Sequence, residues 1–174
     1  MKKTFLIIAF YIITISANAQ AKTVSNHSLT IYTIGASYSY EQTLGGKMTI
    51  IAHADLLMSH MVWTPSGFEY AIQPGLGLES PFYYNIGKRH NSGKNISYNS
   101  ANYLSLECMY LFEPMISQRV IFPYKFHISP NWGIRRVYNN RWLLEFNPGI
   151  YFFIDSWSKL AWRPRINLKF GIVF

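Results

Sequence analysis

The sequence predicts an all-β protein, an eight-stranded antiparallel transmembrane up-and-down β-barrel following an N-terminal signal peptide. Composition, periodicity and the first twenty residues carry that expectation. The 174-residue chain is 49% hydrophobic and 17% aromatic but only 14% charged. Tyr, Phe and Trp on this scale, with few charges to solvate them, imply a surface facing something other than water. Apolar residues recur with period two over runs of roughly 9 to 13 residues, longer than the usual strand of about 5 to 6 and close to a tilted membrane strand of about 9 to 11. The low charge argues against a disordered chain. The single cysteine, Cys108, excludes an intramolecular disulfide and an all-cysteine metal site.

Lys2 and Lys3 precede an uncharged apolar stretch from Phe5 to Ile15, then Ser16 and the small-residue pattern Ala17-Asn18-Ala19. This is the pattern of a secretory signal peptide over residues 1–19, with cleavage expected after Ala19. The apolar stretch falls short of the roughly 20 residues a spanning helix needs. The exported part, 20–174, remains basic and forms a single barrel domain.

Strands are expected near 29–42, 47–61, 68–79, 101–112, 119–128, 132–138, 141–153 and 160–174. In the second, Met48, Ile50, Ala52, Ala54, Leu56 and Met58 alternate with Lys47, Thr49, Ile51, His53 and Asp55. Tyr70, Ile72, Pro74, Leu76 and Leu78 form the apolar row of the third, and Leu104, Leu106, Cys108 and Tyr110 that of the fourth. Val120, Phe122, Tyr124, Phe126 and Ile128 follow in the fifth. The sixth is the shortest and carries Arg135 and Arg136; without it the strand number would be odd and the chain ends would lie on opposite sides. The seventh sets Trp142, Leu144, Phe146, Pro148, Ile150 and Phe152 against Glu145 and Asn147, and the eighth sets Trp162, Pro164, Ile166, Leu168, Phe170, Ile172 and Phe174 against Arg163, Arg165 and Lys169. Gly45-Gly46 and Asn139-Asn140 are two-residue hairpin signals, and Thr64-Pro65-Ser66-Gly67 is a turn. The long connection 80–100, basic through Lys88, Arg89 and Lys94, is expected outside the cell.

Glu41, Asp55, Glu69, Glu79, Glu107 and Glu145 share the parity of the non-apolar face. A secreted sandwich would turn that face to water and a membrane barrel would turn it to the lumen. The sandwich must find a core for a Trp-, Phe- and Tyr-rich row on every strand, which favours the barrel. Eight strands enclose a space just wide enough for side chains. Asp55, Glu69, Glu79, Glu107 and Glu145 are therefore expected to pair there with Lys125, Arg163, Arg165 and Lys169, closing the lumen to diffusion.

The terminal run Ile166-x-Leu168-x-Phe170-x-Ile172-x-Phe174 resembles the C-terminal assembly signal of bacterial outer-membrane β-barrels. That resemblance implies the barrel-assembly machinery as a partner. More broadly, Phe82-Tyr83-Tyr84-Asn85, Lys88-Arg89, Gly93-Lys94, Asn99-Ser100-Ala101-Asn102-Tyr103 and Trp132-Gly133-Ile134-Arg135-Arg136 are similar to a family of small, uncharacterised outer-membrane barrels of Gram-negative bacteria. This likeness spans about the last hundred residues and implies a fold and a bacterial outer-membrane location, not an activity.

One segment has a catalytic pattern. Phe126-His127-Ile128-Ser129-Pro130-Asn131 resembles the His-x-Ser core of the lipid A deacylases, outer-membrane esterases that use serine, histidine and an acid, for which Glu145 is the nearest downstream candidate. Pro130 interrupts the usual Ser-Asn continuation, and strand parity points His127 and Ser129 into the lumen, away from an acyl ester in lipid. No cofactor is expected. His53 and Asp55 share a face but His60 has the opposite parity, so no metal site converges. The basic residues do not imply nucleic acid in an exported chain; Lys88, Arg89 and Lys94 are expected to form a solvated surface loop or to meet lipopolysaccharide phosphates. Trp63, Tyr84, Tyr98, Tyr138, Trp157 and Trp162 fit interfacial girdles. Two functions follow: a non-enzymatic envelope barrel that contributes structure or binds a surface partner, and a lipid A esterase using His127 and Ser129.

Overall fold

The computed structural model describes residues 22–32, 35–65, 67–118, 125–154 and 159–174; the side chains of 59–62 and the expected signal peptide lie outside that description. The strands are β1 (Asn26–Tyr32), β2 (Gly35–Gly45), β3 (Met48–Thr64), β4 (Gly67–Phe82), β5 (Asn102–Leu111), β6 (Ile116–Gln118), β7 (Phe126–Tyr138), β8 (Trp142–Ile154) and β9 (Leu160–Val173). The short β6 pairs with Tyr70–Ile72 on the edge of β4 that also carries β5, prolonging the line of β5 past a break. The other eight form a closed antiparallel barrel, because β9 returns to β1 with Ser28 opposite Val173 and Tyr32 opposite Lys169. His27 and Phe174 exchange two backbone hydrogen bonds, 2.8 and 2.9 Å, at that seam. Among the described residues each of these eight strands is paired on both sides, so none of them is an open edge.

Period-two patterning decides which side chains face out. Leu29, Ile50, Leu76, Leu104, Leu106, Phe146, Leu168 and Phe170 are among the exposed large apolar residues, while Thr49, Gln73, Glu79, Glu107, Glu145 and Asn147 are buried inside. The usual arrangement of a soluble core is thus inverted. Asn139 and Asn140 both have φ 51°, as a type I′ hairpin requires, and Gly45 and Gly46 also take positive φ.

The total of eight strands agrees with expectation, but two of the assignments differ. Expected strand 29–42 is two strands, β1 and β2, with Tyr32 opposite Gly35. The outward row switches from odd residues (Leu29, Ile31) to even ones (Tyr38, Tyr40) across this turn, and that shift marks it. Expected strands 119–128 and 132–138 meet in one strand, β7, which runs unbroken through Pro130 from Phe126; residues 119–124 lie outside the described set. Proline cannot donate to a ladder, and the β7–β8 pairing lapses between Ile128 and Asn131 and then resumes in the same register.

The connections after β2, β4 and β7, the start of β1 and the finish of β9 all lie at one end, here the near end. The long connection 83–101 therefore sits beside both chain ends. The three strands expected before this connection would have put it opposite the chain ends; the four that precede it return it to the side where β1 starts. The connection contains helix α1 (Ile86–Asn91) and a single 3-10 turn at Ser97–Asn99. It folds over the barrel mouth as a cap. Tyr83, Ile86, Ala101 and Tyr103 form a buried apolar cluster with Ile96 packed on it. Arg89 braces the cap by donating to the carbonyls of Ser100 (2.8 Å) and Asn95 (2.9 Å). Asn99 pins it to the N-terminal segment, accepting from Val24 N and donating to Val24 O, each at 2.8 Å.

Candidate functional site

The lumen below the cap holds the polar side chains that the alternation of the strands collects. Glu145 stands in register between Arg135 on β7 and Lys169 on β9, so three ionisable residues form one cross-strand row. Arg135 Nε donates to Glu145 Oε2 at 2.7 Å, and Lys169 Nζ lies 3.4 Å from Glu145 Oε1. Arg135 Nη1 reaches across to Glu41 Oε2 at 2.5 Å. Glu41 also accepts from Thr49 Oγ1 (2.6 Å), Tyr83 OH (2.8 Å) and Asn26 Nδ2 (3.0 Å). Burial pushes the Tyr83 phenol well above its usual titration range, which keeps it a proton donor to Glu41. Nearby, Asn147 Nδ2 donates to Tyr103 OH at 2.7 Å.

A second tier follows toward the far end. Ser105 Oγ donates to Glu79 Oε1 at 2.5 Å, and Arg165 Nη1 pairs with Glu107 Oε2 at 2.6 Å. His127 Nε2 is 3.6 Å from Glu107 Oε1, with its ring edge-on to Tyr151 at 4.5 Å. The Arg165 guanidinium lies 5.3 Å over the same Tyr151 ring. In the third tier Asp55 accepts from Ser37 Oγ and lies 3.1 Å from His53 Nδ1. Glycines make room for these large inward groups. A Cβ on Gly133 would fall 2.1 Å from the Tyr103 ring, and one on Gly77 would fall 2.2 Å from the His53 ring.

Between the tiers the free space is small. A void of about 10 Å³ remains among Glu79, Arg135, Glu145 and Lys169, the scale of one water molecule. A cavity of about 190 Å³ lies nearer the far end, lined by Tyr32, Asp55, Leu57, Glu107, His127, Tyr151 and Arg165 among others. The cap and the ionic row separate that cavity from the near end.

Of the expected lumen residues, the structure places Asp55, Glu79, Glu107, Glu145, Arg165 and Lys169 in this network. Glu69 is at the far end of β4, within 3.3 Å of Thr64 Oγ1. Arg163 is exposed toward the same end, 5.5 Å over the Phe153 ring. Lys125 is not in the lumen: it precedes β7, is exposed, and pairs with exposed Glu113 at 2.5 Å. That hydrogen bond raises the pKa of the Lys125 ammonium. Strand parity does not apply to Lys125, because the β7 ladder starts one residue later. Arg135, Tyr83 and Tyr103 were not expected in the network. Reading 126–138 as one strand would have given Arg135 the inward parity of His127 and Ser129.

The His127–Ser129 pattern does not assemble a catalytic triad. Ser129 Oγ donates to Asn131 Oδ1 at 2.8 Å, and both Ser129 and His127 are buried in the lumen. Glu145 is in register with Arg135, six residues along β7 from Ser129 and so about 20 Å away. No group of three or more His, Cys, Asp or Glu residues among the described residues could hold a metal ion. Ile166, Leu168, Phe170, Ile172 and Phe174 form the outward row of β9 and its end, and Lys88 and Lys94 are exposed on the cap. Comparison of the chain with protein-family models, curated proteins and solved structures finds no match.

Proposed function

We propose that this protein is a small integral outer-membrane barrel, non-enzymatic and closed to diffusion, that contributes to envelope structure. The observation that carries this reading is the inversion of the fold: an apolar outer wall encloses an ion-paired lumen that the 83–101 cap seals at one end. Water on both faces would leave the exposed Leu, Phe and Trp rows unsupported, whereas hydrocarbon outside and a filled lumen satisfy both. The signal peptide pattern supports export, and the run ending in Phe174 supports delivery by the barrel-assembly machinery. The same run orients the near end, where β9 finishes, to the periplasm. Lys88, Arg89 and Lys94 then lie on the periplasmic side, away from lipopolysaccharide.

Refolded protein tests the closed lumen directly in planar bilayers. No steady conductance is expected, and a stable open level overturns the sealed reading. Heat-modifiable migration in detergent gels and co-flotation with vesicles test membrane integration; a soluble protein that neither shifts nor floats overturns it.

A further inference from the structure

Charge is distributed unequally between the two ends of the barrel. Glu41, Asp55, Glu79, Glu107 and Glu145 point inward, and the remaining described acids, Glu69 and Glu113, lie at the far end. The near end carries no exposed acid among the described residues. It carries Lys22 before β1, Lys47 between β2 and β3, Lys88 and Lys94 on the cap between β4 and β5, and Arg141 between β7 and β8. Each of the four corners of that rim thus presents at least one cation. None of the five side chains makes a hydrogen bond or ion pair among the described residues, unlike Arg89 and Arg136, which are held by backbone carbonyls and by Asn102.

Each corner also sets its cation beyond an exposed apolar or aromatic side chain: Val24 after Lys22, Met48 after Lys47, Tyr84 beside the cap, and Trp142 after Arg141. Trp132 Nε1 donates to Tyr84 OH at 2.9 Å, fixing that part of the rim. A ring of positive charge stacked above an apolar girdle matches a lipid leaflet, in which phosphates lie above hydrocarbon. A compact soluble polyanion would instead need the cations to converge on one face.

We infer that the near-end rim, through Lys22, Lys47, Lys88, Lys94 and Arg141, is a binding ring for the phosphate headgroups of anionic phospholipids in the adjoining leaflet. The inference rests on the membrane reading above. Its driving force is the sum of several weak contacts, each sensitive to salt.

The test is native mass spectrometry of the mature protein in detergent with equal amounts of phosphatidylglycerol and phosphatidylcholine, run beside flotation with pure phosphatidylcholine vesicles. Phosphatidylglycerol adducts are expected to exceed phosphatidylcholine adducts roughly threefold or more. A variant with Lys22→Gln, Lys47→Gln, Lys88→Gln, Lys94→Gln and Arg141→Gln should lose that preference and keep its heat-modifiable migration. Changing Lys125→Gln and Lys159→Gln, toward the far end, should leave it intact. A protein that floats but binds both lipids equally, or whose preference survives the fivefold change, overturns the ring alone. Failure to float overturns the membrane reading itself. Displacement of phosphatidylglycerol by equimolar lipid A overturns the assignment to phospholipid.

Discussion

Arg135 on β7 reaches Glu41 on β2 at 2.5 Å although these two strands stand diametrically opposite in the eight-stranded ring. One arginine side chain, together with the carboxylate it meets, therefore spans the width of the lumen. Because the same guanidinium also binds Glu145 at 2.7 Å, it joins two walls of the barrel and shares its one charge between two buried carboxylates, with Lys169 as the second cation of the row.

Arg135→Met should be strongly destabilising, because it leaves Glu41 and Glu145 buried without their shared cation. The expected loss is about 3–5 kcal/mol in guanidinium unfolding of the refolded protein. The triple change Glu41→Gln, Arg135→Met, Glu145→Gln should recover part of it. A loss under about 1 kcal/mol for the single change would show that the bridge does not hold the walls together.

Gly133 is opposed by Tyr103, whose ring occupies the space a Cβ would take. Gly133→Val should cost about 1–3 kcal/mol through overpacking, and Tyr103→Leu in the same chain should relieve much of that cost. Equal destabilisation with and without the Tyr103 change would rule out this contact as the cause.

Leu106 is an exposed outward residue midway along β5. In lipid, Leu106→Arg should destabilise the barrel by about 2–4 kcal/mol, because a guanidinium would enter hydrocarbon near the midplane. If the outer wall faced water, the same change would be nearly neutral. Unfolding titrations in vesicles distinguish the two environments.

Ser129 donates to Asn131 within the lumen, and Glu107, its neighbour across the ladder, is held by Arg165 at 2.6 Å. Ser129→Ala should therefore leave the acylation of lipid A unchanged in cells that make the protein, and should cost about 1 kcal/mol of stability from the lost hydrogen bond. Mass spectra of lipid A that differ between the two strains would restore the esterase reading.

The strand faces were legible because each depends on local alternation alone. Ile50, Leu76, Leu106 and Phe146 are assigned outward by parity and lie outward, and Glu79, Glu107 and Glu145 lie inward. The hairpins at Gly45-Gly46 and Asn139-Asn140 were legible because positive φ restricts which residues can occupy them. The turn between β1 and β2 was not, since its only signal is a parity shift without the usual pair of turn residues. Pro130 misled in the opposite direction: proline is a strong breaker locally, yet the barrel accommodates it where the ladder to β8 lapses.

Which inward groups meet was not legible in the same way. Parity names the residues that enter the lumen but not their height along the barrel or their partner across it. Glu41 and Arg135 are 94 residues apart, and their contact depends on ring closure, strand stagger and the inward fold of the cap. Alternation and turn chemistry are short-range properties and can be read from neighbouring residues. The pairing of buried charges is a long-range property, set only when β9 closes on β1 and brings opposite walls within reach of a side chain.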